Sequence, residues 1–219
     1  MITELKPPKI TFTHRFAQIN YPYIENYFSE MRTIIDNISK EDIDKVIEVL
    51  FSAWKNNKKV FIMGNGGSAS TATHFVCDLA KCTIVPHKKR FKVIGLTDNI
   101  PLMTALINDN GFDSLFSEQL ENLMEPGDVL IGLSVHGGSG KDKAGLWSQN
   151  LLKAMLLTKE KFKGTTIGFS GFDGGAMKRI ADVCVVVPFN STPQVESFHL
   201  VVEHLICNCL LEKVKEYEK

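Results

Sequence analysis

Five short apolar runs, at residues 60–63, 92–96, 129–133, 165–169 and 183–187, punctuate this chain, and each gives way to a turn or polar stretch and then to helix-like sequence. Apolar runs without strict alternation suit strands buried on both faces, and strands alternating with helices pair in parallel under a helical cover. The expectation is an α/β fold. Its helices fall over 69–81, 100–108, 114–123, 141–159 and 176–180, with a long final helix over about 193–217.

An N-terminal helical pair precedes the sheet. Ile19, Tyr23, Ile24, Tyr27, Phe28, Met31, Ile34 and Ile35 recur at helical intervals from about Phe16 to Asn37. Ile43, Val46, Ile47, Leu50 and Trp54 mark a second helix over 42–55, with Ser39 placed to cap it. Residues 1–14 read as an irregular arm because Pro7-Pro8 blocks helix. At 219 residues the remainder, 15–219, suits one domain.

The 25 basic and 25 acidic residues cancel, so no global positive field draws nucleic acid or an anionic membrane, and an anion must be held by a local site. Five cysteines at 77, 82, 184, 207 and 209 form no CxxC pair or regular framework and read as reduced thiols, which points to the cytoplasm. No stretch reaches membrane-spanning length.

Two loops at expected strand ends carry the chemistry. The first is Gly64-Asn65-Gly66-Gly67-Ser68-Ala69, where glycines let backbone N–H groups approach an anion and the next helix adds its positive end. Ser68 serves there as a cap or as a direct donor. The loop fits neither GxxxxGK[ST] nor GxGxxG, and alone it reads equally well as a tight structural turn. The second is Ser134-Val135-His136-Gly137-Gly138-Ser139-Gly140. Two such loops on neighbouring strands gather hydroxyl and amide donors around one phosphomonoester. A third glycine turn, Gly171-Phe172-Asp173-Gly174-Gly175, supplies few side-chain donors and reads as structural.

The blocks GNGGSAS with THF, NDNGF, PGDVLIGLSVHGGS, GFDGG and TPQVESFHLVVEH, in that order, resemble the phosphoheptose isomerase branch of the SIS-domain (sugar isomerase) family over residues 16–217. The resemblance implies a three-layer, doubly wound sandwich around a five-stranded parallel sheet, a homotetramer with active sites where subunits meet, and conversion of sedoheptulose 7-phosphate to glycero-manno-heptose 7-phosphate. It also implies that Asn65, Ser68, Asp109, Ser134 and Ser139 contact the sugar phosphate, with Gly66, Gly67 and Asn108 in the same loops, and that His74, Asp78, Glu196 and His204 occupy positions that bind zinc where metal is present. His136 is this chain's own: it reads as a phosphate donor in place of the missing hydroxyls and equally well as a solvent-facing loop histidine. Asp78, Glu196 and His204 fall where acid–base chemistry is expected. The same branch includes sugar-phosphate-binding modules without catalysis, one of them a partner of the replication initiator, and isomerases of other sugar phosphates remain open.

This chain departs from the pattern at several positions. The family's helical glutamate is Asp78, its metal-site glutamine is Glu196, its arginine is Cys82, its threonine-serine pair is Val135-His136, and an acidic residue is Pro193. Moving a proton between C1 and C2 through an enediol calls for a carboxylate or imidazole base and a group that polarises the oxygens. His74 and Asp78, four apart on one helix, project from one face. Glu196 and His204 are separated by roughly 12 Å of rise and roughly 80° of rotation if both are helical. They share a metal only if Glu196 precedes the regular helix, both side chains lean inward, or two subunits contribute. Singly, each of the four reads as well as an ordinary core or surface residue.

Overall fold

A computed structural model describes residues 14–138 and 148–218, with side chains from Ile19 onward. The arm expected over 1–14 lies, His14 apart, outside these residues, as do Ser139 and the first part of the helix expected over 141–159. The chain divides into two units, Met1–Asn37 and Ile38–Lys219. The first holds α1 (His14–Asn37), with Pro22 inside it and with Ile19, Tyr21, Tyr23, Ile24, Phe28 and Ile35 exposed.

The second unit begins with α2 (Lys40–Lys55), whose N-cap Ser39 accepts a hydrogen bond from the Asp42 amide. Then come β1 (Lys59–Gly64), α3 (Gly67–Lys81), β2 (Lys92–Gly95), α4 (Ile100–Asn110), a 3-10 turn (Phe112–Ser114), α5 (Leu115–Leu123) and β3 (Val129–Leu133). They are followed by α6 (Gln149–Glu160), β4 (Thr165–Gly171), α7 (Met177–Ile180), β5 (Val183–Val187) and α8 (Thr192–Glu216).

All strand pairings are parallel, in the order β2-β1-β3-β4-β5. Successive residues of β1 serve opposite layers. Val60 and Ile62 join α2, α3 and α8 through Leu50, Phe75 and Ile206, whereas Phe61 and Met63 join α5 and α6 through Phe116 and Met155. This double cover explains why the strands read as continuous apolar runs. Chain order runs from β1 outward to β2 and then back past β1 to β3, so the crevice between the carboxyl ends of β1 and β3 is the topological switch point where α/β sheets bind ligands. Both serine-glycine loops open there.

Candidate active site

The first loop leaves β1 and enters α3 with Gly66 at the N-cap, so Ser68 is not the cap; it lies buried in the first turn. Asn65 Nδ2 donates to Asn150 Oδ1 and Asn150 Nδ2 to Asn65 Oδ1, both at 3.0 Å. This reciprocal amide pair, anchored by the fully buried Asn150 on α6, fixes the first loop against the second layer. The second loop leaves β3 at Ser134, whose amide donates to the Phe169 carbonyl. It is buttressed by the third glycine turn: Gly171 N–H donates to Val135 O at 2.9 Å and Met177 N–H to Gly137 O at 2.8 Å. Gly137 has φ +59°, and a Cβ there would run into the Gly174 carbonyl. The His136 ring packs on Phe172 with centroids 4.3 Å apart.

Between the loops lies a pocket of about 360 Å³ lined by Asn65, Gly66, Ser68, Ser134, Val135 and His136, and by Thr192 and Glu196 from the first turns of α8. Two helix amino ends, those of α3 and α8, therefore border the same cavity as the hydroxyls of Ser68 and Ser134, an arrangement suited to an anion. Pro193 sits in the first turn of α8, where a missing N–H costs nothing. Glu196 is half-buried, and its carboxylate rests against Gly67 in the space a Cβ would fill.

Further along the same two helices, His74 and Asp78 of α3 meet Glu203 and His204 of α8. Since residue 67 meets 196 and residue 74 meets 204, α3 and α8 run side by side in the same direction. His74 Nε2 and His204 Nε2 are 3.1 Å apart, and Asp78 Oδ2 lies 3.5 and 3.3 Å from them. Glu203 Oε1 is 3.6 Å from both imidazole nitrogens, and one ligand atom of each residue falls within 4.8 Å of the others. A tetrahedral ion with ligands at about 2.1 Å separates its ligand atoms by about 3.4 Å, so the donor atoms fit zinc or a similar divalent ion. The histidines are exposed, Asp78 is half-buried, and the Glu203 side chain is 0% exposed.

Neither Glu203 oxygen receives a hydrogen bond among the described residues. Burial, reinforced by the Asp78 carboxylate, pushes its pKa up to about 8. Partial desolvation and the nearby Asp78 carboxylate raise the pKa of the exposed Cys82 thiol, which makes it a poor nucleophile.

A family model described as the SIS domain matches residues 26–142. A phosphoheptose isomerase from Syntrophotalea carbinolica is 37% identical over 193 residues, covering 87% of this chain and 92% of the relative. The lincomycin biosynthesis protein LmbN of Streptomyces lincolnensis is 37% identical over 188 residues, 84% of this chain and 67% of its own. The solved structure of phosphoheptose isomerase from Neisseria gonorrhoeae matches at 27% identity with a TM-score of 0.75, covering 87% of this chain and 97% of that one. The chain belongs to the SIS-domain family, in its phosphoheptose isomerase branch.

Within this SIS chain, the structure brings together Asn65, Gly66, Ser68, Ser134, His136 and Glu196 at the pocket, with Gly67 behind Glu196. It gathers His74, Asp78 and His204 at the cluster. Glu196 does not reach that cluster in the same chain, because it lies inside regular α8, two turns before His204. Asn108 and Asp109, hydrogen-bonded to each other at 2.7 Å, are exposed near the end of α4 and do not line the pocket.

Two residues escaped the sequence reading. Asn150 has no signal in a polar stretch. Glu203 had one: it falls on the buried stripe of α8 with Phe198, His199, Val202, Ile206 and Leu210, where a charge is out of place.

Proposed function

We propose that this chain is an aldose–ketose isomerase acting on sedoheptulose 7-phosphate, with the phosphate held between the two loops and the reacting carbons near the His–carboxylate cluster. Spacing carries the reading. Seven residues of α3 separate Gly67 at the pocket from His74 at the cluster, roughly 10 Å of helical rise. An extended seven-carbon sugar phosphate is also roughly 10 Å from carbonyl to phosphorus by ordinary bond lengths.

Ser68 and Ser134 donate to the phosphate, helped by the amino ends of α3 and α8, while His136 lies beside it. Glu196, an acceptor only, takes hydrogen bonds from sugar hydroxyls. At the cluster Asp78, through the oxygen not turned to the histidines, removes the proton from one carbon and returns it to the next, and His204, whose Nε2 faces the cluster, exchanges the hydroxyl proton through Nδ1. A zinc ion held by the cluster residues would polarise the carbonyl and hydroxyl oxygens. His74, Asp78 and His204 would hold it, with a carboxylate, Glu196 or Glu203, as the fourth ligand.

Assembly into a homotetramer accords with two features. Asn108 and Asp109 stand away from their own pocket, and α4 has no buried residue while exposing Ile100 and Ile107. In a tetramer these polar residues reach a neighbouring subunit's sugar site. Operation in the cytoplasm suits the five free cysteines.

The test is incubation of metal-replete protein with sedoheptulose 7-phosphate, following aldose formation. Asp78→Asn and His204→Ala are expected to lower turnover by about 10²- to 10⁴-fold, the range of acid–base contributions. Wild-type protein that binds the sugar phosphate but forms no aldose would favour the non-catalytic binding module instead.

A further inference from the structure

We infer that Glu203 is the inner ligand of the divalent ion, so that a single chain supplies the full set His74, Asp78, Glu203 and His204 and Glu196 stands outside it. The inference rests on the metal-dependent reading of the cluster and deepens it.

Three observations carry it. First, five of the six distances among the four donor atoms lie between 3.1 and 3.6 Å, and the same atoms recur in every pair: the two Nε2 atoms, Asp78 Oδ2 and Glu203 Oε1. This is the edge length of one tetrahedral coordination shell, about 3.4 Å. Second, the Glu203 side chain is fully buried and accepts no hydrogen bond among the described residues. A carboxylate so placed is costly unless a cation compensates it. Third, Glu196 occupies the space beside Gly67, eight residues and roughly 12 Å of rise before His204 on one straight run of α8.

Two carboxylates and two neutral imidazoles then balance a divalent charge on the ion. Glu203 forms the closed floor of the site, and the exposed face belongs to His74, His204 and the partly open Asp78. Glu196 is left free to face the sugar.

The experiment measures zinc affinity of the full chain, stripped with a chelator, by competition with a chromogenic indicator, together with the thermal midpoint with and without zinc. Glu203→Gln is expected to weaken zinc binding by about 100-fold or more, at least the loss caused by removing an outer partner of a metal ligand. It should also abolish the zinc-induced rise in midpoint, while the stripped variant melts no lower than stripped wild type, since a buried carboxylate that accepts no hydrogen bond among the described residues has been removed. Glu203→Met, which keeps the side-chain volume without a ligand oxygen, should behave alike. Glu196→Gln should leave zinc affinity unchanged. Wild-type affinity in Glu203→Gln, with loss in His74→Ala and His204→Ala, would overturn the role of Glu203 and leave the metal reading standing. Zinc binding indifferent to all of these substitutions would overturn both.

Discussion

The Glu196 carboxylate lies against Gly67, in the volume that any side chain at position 67 would need. The contact ties the first turn of α3 to the first turns of α8 and aims an acceptor into the pocket. Gly67→Ala is therefore expected to displace Glu196 and lower kcat/KM by about tenfold, equivalent to about 1.4 kcal/mol. In a Glu196→Ala background the same substitution should cost little. Steady-state kinetics of the two single variants and the double variant check the coupling; additive losses would show that the two residues act independently.

The amide pair Asn65–Asn150 makes a second prediction, because each partner leaves the other unsatisfied when removed. Asn150→Ala should cost about 1–3 kcal/mol in urea unfolding and weaken sugar-phosphate binding by loosening the first loop. An unchanged urea midpoint would mean that the pair contributes nothing to holding the loop.

His199 sets a pH dependence of stability. It is buried on α8, its Nε2 is 3.1 Å from the Ser170 carbonyl, and its Nδ1 has no partner among the described residues. Burial, only partly offset by that hydrogen bond, lowers its pKa from 6.5 to about 4. Between these values the unfolded chain binds the proton and the folded chain does not, so stability is full above pH 6.5 and falls as pH drops toward 4. The loss from this group is about 3 kcal/mol. His199→Gln, which keeps a donor for Ser170, should flatten that part of the profile; urea midpoints at neutral and acidic pH measure it.

His136 lines the pocket and packs at a tilt on Phe172 from the buttressing turn. His136→Ala is expected to weaken binding of a sugar phosphate by about tenfold, or about 1.4 kcal/mol. Calorimetric titration reads this directly, and equal affinity in the variant would place the ring outside the anion's reach.

The elements were largely legible because their signals are local. Ser39 caps α2 as its side chain demands, and the runs at 129–133 and 183–187 coincide with β3 and β5. The two serine-glycine loops were visible for the same reason, since glycine and serine at a strand-to-helix turn state their backbone needs within a few residues. Glu203 was harder to see. Its meaning depends on Asp78 and His74, more than a hundred positions away.

Sequence by itself thus determined the class of fold, the order of its strands and helices along the chain, and the chemistry of the two loops, because hydrophobic period and turn residues act over short range. Only the tertiary structure decided that β1 lies beside β3, that α3 and α8 run in the same direction, and hence that Gly67 meets Glu196 while His74 meets His204. Those contacts come from packing two helices on one face of a sheet, and packing between segments far apart in the chain leaves no period or spacing in either segment to read.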